Sequence, residues 1–284
     1  MMIKTEYFNR KSSHKSYCSI VQITDLHLIE DEKKTFLGVN TWSILDAVLE
    51  EIYSNADIDF IVFTGDLIHD DETLAYCLLF DRLKSSPYPV YIIPGNHDDK
   101  STLFFLLEQK YNNTNIKMIT HLHLISDNWQ IFLLDSVVDN EVYGELKEHE
   151  LSYLEDILHD SKENTLIFLH HNPFNINNAW LNDYTIKNSD RFLDLIFQHS
   201  HVKIVSFGHI HQDLHLCHNG ISFLATPSTS IQFKPDSHCF CLDNKDPGYR
   251  IIQLYNSENP HLFSTEVIRL DMPTLQFDQS ISEY

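Results

Sequence analysis

The sequence predicts an α/β fold, and three features carry that expectation. Short β-rich runs recur along the 284 residues. Amphipathic helical stretches stand between them. After Gly220 the strands follow one another without helices. Alternation of strand and helix argues for strands joined through helices that pack on their faces. At this length one large domain or two small ones fit. No linker long enough to cut the chain is visible, so residues 17–284 are read as a single domain.

The strands come first in that argument. Runs at 19–25, 60–66, 90–96, 130–135, 165–170 and 203–209 are rich in Ile, Val and Phe. Several are apolar on both alternating faces, as strands covered on both sides are. Helices are expected over 40–55, with Ile44, Leu45, Val48, Leu49 and Ile52 on one stripe, and over 71–85, with Leu74, Cys77, Leu78 and Leu83. Two more are expected: 146–159, with Leu151, Leu154, Ile157 and Leu158, and one entered through Ser189-Asp190, with Phe192, Leu195, Ile196 and His199. Strands at 221–225, 238–242, 249–255 and 261–270 are expected to complete a second sheet. Residues 1–16, with Lys4, Arg10, Lys11 and Lys15, read as a mobile polar extension.

Composition removes several function classes. The net charge is −21, from 20 basic and 41 acidic residues. Such a surface repels polymeric nucleic acid and anionic membrane faces. There is no apolar run of membrane-spanning length, and the first residues lack the apolar core of a secretory signal. Five scattered cysteines, an odd number, fit reduced thiols in a cytoplasmic protein. A small anionic substrate remains compatible with this charge if metal ions sit in the site.

Polar residues stand at the ends of the apolar runs. The chain has only seven glycines. Three of them precede such a residue, in Gly65-Asp66, Gly95-Asn96 and Gly208-His209, where a positive φ at glycine is expected to turn the chain. Five runs end in Asp25-Leu26-His27, Gly65-Asp66, Gly95-Asn96-His97-Asp98, His170-His171-Asn172-Pro173 and Gly208-His209-Ile210-His211. A lone Asp or His after a strand is ordinarily a helix cap. Five sets of N and O ligands at the carboxyl ends of strands converge in space, because that edge of an α/β sheet is where ligands gather. Residues i and i+2 of an extended segment face one side, which pairs Asp25 with His27 and His209 with His211. Asp25, His27, Asp66, Asn96, His170, His209 and His211 make seven ligands, about what two ions sharing a carboxylate need. Carboxylate, amide and imidazole without thiolate suit iron or manganese, with zinc as the alternative.

These residues, D-x-H, GD, GNHD, HH and GH-x-H in order, resemble the calcineurin-like metallophosphoesterase superfamily. Within it the likeness is to bacterial class III 3′,5′-cyclic AMP phosphodiesterases. It covers roughly residues 17–256 and takes in Gln22 to Leu28, Gly38-Val39-Asn40-Thr41, Pro227 to Phe233 and Pro247-Gly248-Tyr249-Arg250. The resemblance implies a four-layer α/β/β/α sandwich with two mixed β-sheets. It also implies two divalent metal ions, one held by Asp25, His27, Asp66 and His211 and the other by Asp66, Asn96, His170 and His209. Their hydroxide would attack cyclic AMP to give 5′-AMP. HHNP departs from the HHPP of many relatives, which leaves the choice between His170 and His171 open; the family pattern favours His170.

His97 resembles the family's catalytic histidine, a proton donor to the leaving oxygen. Asp25 and Asp98 are candidates to orient histidines, and His69 reads as a surface residue at a helix start. His121 and His123 are expected to face solvent, and His199, His215, His218 and His238 to be structural. Expected substrate contacts are His27, Asp66, Asn96, His97, His170 and His211, joined by Asn40 and by Trp180 from a cap loop near 172–188. The partner is a small molecule, and the chain a monomer or homodimer. Two other readings remain: a diesterase acting on a glycerophosphodiester, a 2′,3′-cyclic nucleotide or a nucleotide–sugar lipid precursor, and a non-catalytic scaffold. A scaffold has no use for a complete ligand set.

Overall fold

The computed structural model describes residues 3–9, 16–55, 57–69, 73–124, 128–256 and 261–272. Fifteen strands form two large sheets and one small ribbon among the described residues. In spatial order the seven-stranded sheet holds β1 (Thr5–Phe8), β6 (His121–Leu124), β7 (Trp129–Leu133), β8 (Asn164–Phe168), β9 (Val202–Phe207), β11 (Ile221–Ala225) and β10 (Leu214–His218). The six-stranded sheet holds β15 (Phe263–Arg269), β14 (Gly248–Tyr255), β2 (Tyr17–Ile23), β3 (Phe60–Thr64), β4 (Val90–Ile93) and β5 (Ile116–Lys117). The ribbon pairs β12 (Gln232–Phe233) with β13 (Leu242–Asp243). Both large sheets are mixed: β2, β3 and β4 run parallel, as do β7, β8 and β9, while β14 is antiparallel to β2 and β10 to β11.

Alternation along the strands explains the layers. Phe60 and Val62 of β3 join Cys18, Ile20, Ile131, Leu133, Leu166 and Phe168 in a core shared by the two sheets. Ile61 and Phe63, one residue out of phase, join a second core that contains the helix residues. A strand with apolar residues on both faces has to be covered twice, by the other sheet and by helices.

Among the described residues five α-helices supply that cover: α1 (Thr41–Ser54), α2 (Thr73–Leu83), α3 (Lys100–Gln109), α4 (Glu148–Asp160) and α5 (Ser189–Phe197). In α1 the expected stripe is buried, and the helix begins at Asn40, whose Oδ1 accepts from the Ser43 N–H at 2.8 Å. In α2 the buried face is instead Ala75, Tyr76, Leu79, Phe80 and Leu83, with Leu74 exposed. The two large aromatic rings, with Leu79 and Leu83, form the side that turns inward. Helix α3 had no clear apolar period because Phe104 and Phe105 are exposed. Its cap is local: Asp99 accepts from the Ser101 and Thr102 N–H groups.

Two expectations change at the sheet edges. Residues 5–8 are a strand parallel to β6, not part of a mobile extension; Arg10, Lys11 and Lys15 lie outside the described residues. With β1 alongside, β6 is an inner strand. His121 is therefore buried, between Tyr153 Oη at 3.0 Å and Gln130 Oε1 at 3.2 Å, and burial pushes its pKa down to about 3. His123 is half-buried against Glu163. The strands after Gly220 divide between the sheets, β11 joining one and β14 and β15 the other.

Between the sheets, directly below the strand ends, lies Gln22. Its Nε2 donates to Thr64 Oγ1 at 2.9 Å, and its Oε1 accepts from Ser206 at 2.5 Å and Thr226 at 2.7 Å. Ser206 belongs to the other sheet, so one buried amide bonded at both its nitrogen and its oxygen ties the two sheets together.

Candidate metal centre

The carboxyl ends of β2, β3 and β4 from one sheet meet those of β8 and β9 from the other. Asp25 and His27 follow β2, Asp66 follows β3 and Asn96 follows β4; His170 follows β8, and His209 and His211 follow β9. Asp25, His27, His170 and His211 are essentially inaccessible, and Asp66 is 2% exposed.

The local backbone differs from a simple extension of the strands. Asp25, His27, Asp66, His209 and His211 all have φ between 46° and 65°, the left-handed region. Non-glycine residues there are strained, and such strain gathers at functional sites. Alternation of left-handed residues, rather than i and i+2 on an extended strand, turns each pair of side chains to one centre. Hydrogen bonds hold the backbone in place: Asp25 N–H to Gly65 O at 3.0 Å, and His27 N–H to Asp66 O at 3.1 Å. Of the three glycines, only Gly65 has positive φ. Gly95 and Gly208 are required by close approach instead. A Cβ on Gly95 would overlap Asp66, and one on Gly208 would overlap Thr24 and Asp25.

Asp66 stands between the two halves. Its Oδ2 is 3.7 Å from His27 Nε2 and 3.4 Å from His170 Nε2, while its Oδ1 accepts the His97 main-chain N–H at 2.9 Å. On one side His27 Nε2 and His211 Nε2 approach to 3.2 Å, and His211 Nε2 lies 3.3 Å from Asp25 Oδ1. On the other, His170 Nε2 lies 3.0 Å from Asn96 Oδ1.

The protonation pattern indicates what belongs between these atoms. His170 Nδ1–H donates to Thr64 O at 2.8 Å and His211 Nδ1–H to Ile231 O at 2.9 Å. A neutral ring held this way turns a lone pair, not a proton, toward carboxylate and amide oxygens. Acceptors facing acceptors need a cation. His209 Nε2 is buried without a hydrogen-bond partner, the condition of a ligand atom. Burial lowers the pKa of His27 and His209, so both are neutral and able to ligate. Burial alone would lower His170 and raise Asp66, but their mutual attraction wins, raising His170 to about 9 and holding Asp66 well below the usual carboxylate range. A cation between them would take over the role of that proton. The residues fit divalent metal ions.

His171 is fully bonded, with Nδ1 at 2.8 Å from Ser136 Oγ and Nε2 donating to Val142 O at 3.1 Å. Both nitrogens are committed, so His170 is the member of the pair that faces the ligand set. Asp98 orients no histidine. It accepts from the Leu67, Ile68 and Gly95 N–H groups and from Tyr76 Oη, bracing the two ligand loops, and burial pushes its pKa up to about 6. Asp25 does secure a histidine, accepting the His209 main-chain N–H on both oxygens at 3.1 Å.

Above the ligands lies a cavity of about 560 Å³ lined by Asp66, Asn96, His97, His209 and an aromatic wall of Trp180, Tyr184, Phe233 and Phe240. Trp180 packs edge-on against Phe233 and Phe240 at 5.0 and 5.6 Å, and its Nε1–H is buried without a partner. Phe233 in turn lies flat on His211, with centroids 3.9 Å apart. Asn40 is not on the cavity wall. Its Oδ1 caps α1 and its Nδ2 donates to Glu32 O and Lys34 O, so its side chain is committed to a structural cap. His27, His170 and His211 are likewise too deeply buried to line the cavity. The sequence reading did not single out Tyr184, Phe233, His238, Cys239 or Phe240 as lining residues. Only Phe233 carried a signal, as the last residue of the Pro227–Phe233 likeness.

His69 is not a surface residue at a helix start. Its ring stacks on His97 at 5.0 Å and its Nδ1 is 3.5 Å from His27 Nδ1.

Residues 18–213 match the calcineurin-like phosphoesterase family. The chain belongs to that family, whose members use a dinuclear metal centre. Over 260 residues it is 38% identical to the 3′,5′-cyclic adenosine monophosphate phosphodiesterase CpdA of Haemophilus influenzae, covering 91% of this chain and 92% of that one. The enzyme of the same name from Escherichia coli K12 is 38% identical over 267 residues, 93% of this chain and 94% of its own. Among solved structures, a dimetal phosphatase from Danio rerio superposes with a TM-score of 0.61 at 15% identity, over 90% of this chain and 99% of that one. The four-layer metallophosphoesterase fold is common to both.

Proposed function

We propose that the chain is a metal-dependent phosphodiesterase that opens 3′,5′-cyclic AMP to 5′-AMP. Asp25, His27, Asp66 and His211 hold one divalent ion and Asp66, Asn96, His170 and His209 the other, with Asp66 shared. One observation carries the reading: Asp66 Oδ2 lies within 3.4 and 3.7 Å of ring nitrogens from two different sheets, at the floor of an aromatic cavity. The relatives named for this substrate match over nearly the whole chain. Mixed carboxylate, amide and imidazole donors suit iron or manganese before zinc. Two such ions, when bound, offset the charge of the diester and ready a water for attack at neutral pH.

The chain's own residues do the rest. His97 Nδ1–H is committed to the His69 carbonyl at 2.9 Å, which supports Nε2 as the nitrogen that donates. That proton goes to the ribose 3′-oxygen as its bond to phosphorus breaks. Trp180, Tyr184, Phe233 and Phe240 offer ring faces and edges to the adenine. The unpartnered Trp180 Nε1–H is a donor suited to a purine ring nitrogen. The segment 172–188, which carries Trp180 and Tyr184, serves as the cap of a single domain. The five cysteines, all free, fit the reducing cytoplasm.

Chelation tests the reading. Metal-free protein is expected to lose cyclic AMP turnover and to regain it with Mn²⁺, whereas Asp66→Ala is expected to hold less metal and stay inactive at any Mn²⁺ concentration. Near-full turnover after exhaustive metal removal, or in Asp66→Ala, sinks it.

A further inference from the structure

A histidine that binds a metal through one ring nitrogen must place the proton of the other, and the acceptor it finds fixes the ring. His170 and His211 use the main-chain oxygens of Thr64 and Ile231. His27 differs. Its Nε2 faces His211 and Asp66, and its Nδ1 lies 3.5 Å from Nδ1 of the His69 imidazole. For His27 Nδ1–H to donate, His69 Nδ1 must be the bare nitrogen, with the His69 proton on Nε2.

The same residue meets His97 twice. The His69 carbonyl accepts the His97 Nδ1–H at 2.9 Å, and the two rings stack with 24° between their planes. Phe36 closes the far side, 4.2 Å from the His69 ring and 5.5 Å from that of His27. His69 is thereby locked between a metal-facing histidine and the proton donor.

We infer that His69 is a positioning residue: its Nδ1 sets the tautomer and orientation of His27, and its carbonyl and ring set those of His97. The inference rests on the metal-centre reading but not on the identity of the substrate.

Substitution separates the acceptor from the packing. His69→Phe keeps a flat ring over His97 and leaves the main-chain carbonyl in place, but removes the Nδ1 acceptor facing His27. His69→Gln returns an acceptor oxygen on a side chain of similar reach. Mn²⁺ titration of metal-free protein by calorimetry, with folding checked by circular dichroism, reads both variants without any substrate. The expected result is one of two binding steps weakened by about 10–100-fold in His69→Phe, with His69→Gln recovering most of the loss. Unchanged affinity at both steps in His69→Phe overturns the inference. So does an equal loss in the two variants, which marks packing alone. A wild-type chain that takes up no Mn²⁺ overturns the metal reading and this inference together. Failure to turn over cyclic AMP overturns neither.

Discussion

At the residue scale, the proton donation proposed for His97 turns on which ring nitrogen the structure commits elsewhere. With Nδ1 bound to the His69 carbonyl and the backbone N–H bound to Asp66, the residue is placed by two groups that take no part in the transfer. Opening a cyclic phosphate expels a ribose alkoxide, a strong base that needs a proton, whereas a nitrophenyl diester expels a weak one. His97→Ala is therefore expected to cost about 10²–10⁴-fold on cyclic AMP and markedly less on the activated ester, with metal content retained. Equal losses at full metal occupancy would remove the proton-donor role and leave the diesterase reading standing. Loss of metal would make His97 a prop for Asn96. Residues of this kind were legible in the sequence because each ends a run of strand and offers N or O. The aromatic wall was not, since Tyr184, Phe233 and Phe240 reach the cavity from segments with no shared pattern, and an aromatic side chain reads as core by default.

At the element scale, the strands were easier to read than their partners. Continuous Ile, Val and Phe runs mark β3, β4, β8 and β9 without ambiguity, while β1 has only four residues and shows itself by covering β6. Helix α3 hides its period behind exposed Phe104 and Phe105. Helix α4 carries a different kind of information. Its Glu150 is buried, its Oε1 accepts from Asp135 N–H at 3.3 Å, and its Oε2 has no partner. Burial, then the Asp135 carboxylate, raises its pKa from 4.5 to about 7, against the pull of Lys147. The folded chain thus binds this proton more tightly than the unfolded one. Its contribution is intact below about 4.5 and turns progressively destabilising as pH rises to about 7, reaching roughly 3 kcal/mol. Glu150→Gln does not ionise. Its stability relative to wild type is expected to improve by roughly 2 kcal/mol between pH 5 and pH 8, read from urea unfolding at the two values. A difference that does not move with pH would mean that Glu150 ionises freely in the folded protein.

For the whole molecule, the charge of −21 and the divalent ions proposed for the buried ligand cluster pull in opposite directions on an anion. The surface repels it at long range, where salt screens within about 10 Å. Attraction acts only at short range, inside a cavity of about 560 Å³ that admits a nucleotide but no folded polymer. Cyclic AMP carries a single charge and gives up few counterions on binding. A polymer held through many phosphates would show affinity falling steeply with salt, with a slope set by the number of contacts. The Michaelis constant for cyclic AMP is therefore expected to change by no more than about threefold between roughly 50 and 200 mM salt, and single-stranded RNA and duplex DNA to be poor substrates throughout. Kinetics on all three at fixed Mn²⁺ decide the matter. Efficient cleavage of the polymers, with a loss of about a thousandfold over the same range of salt, would require a basic track that 20 Lys and Arg against 41 Asp and Glu do not suggest. That result would make the chain a nuclease on this fold and would reassign the aromatic wall to stacking along a strand.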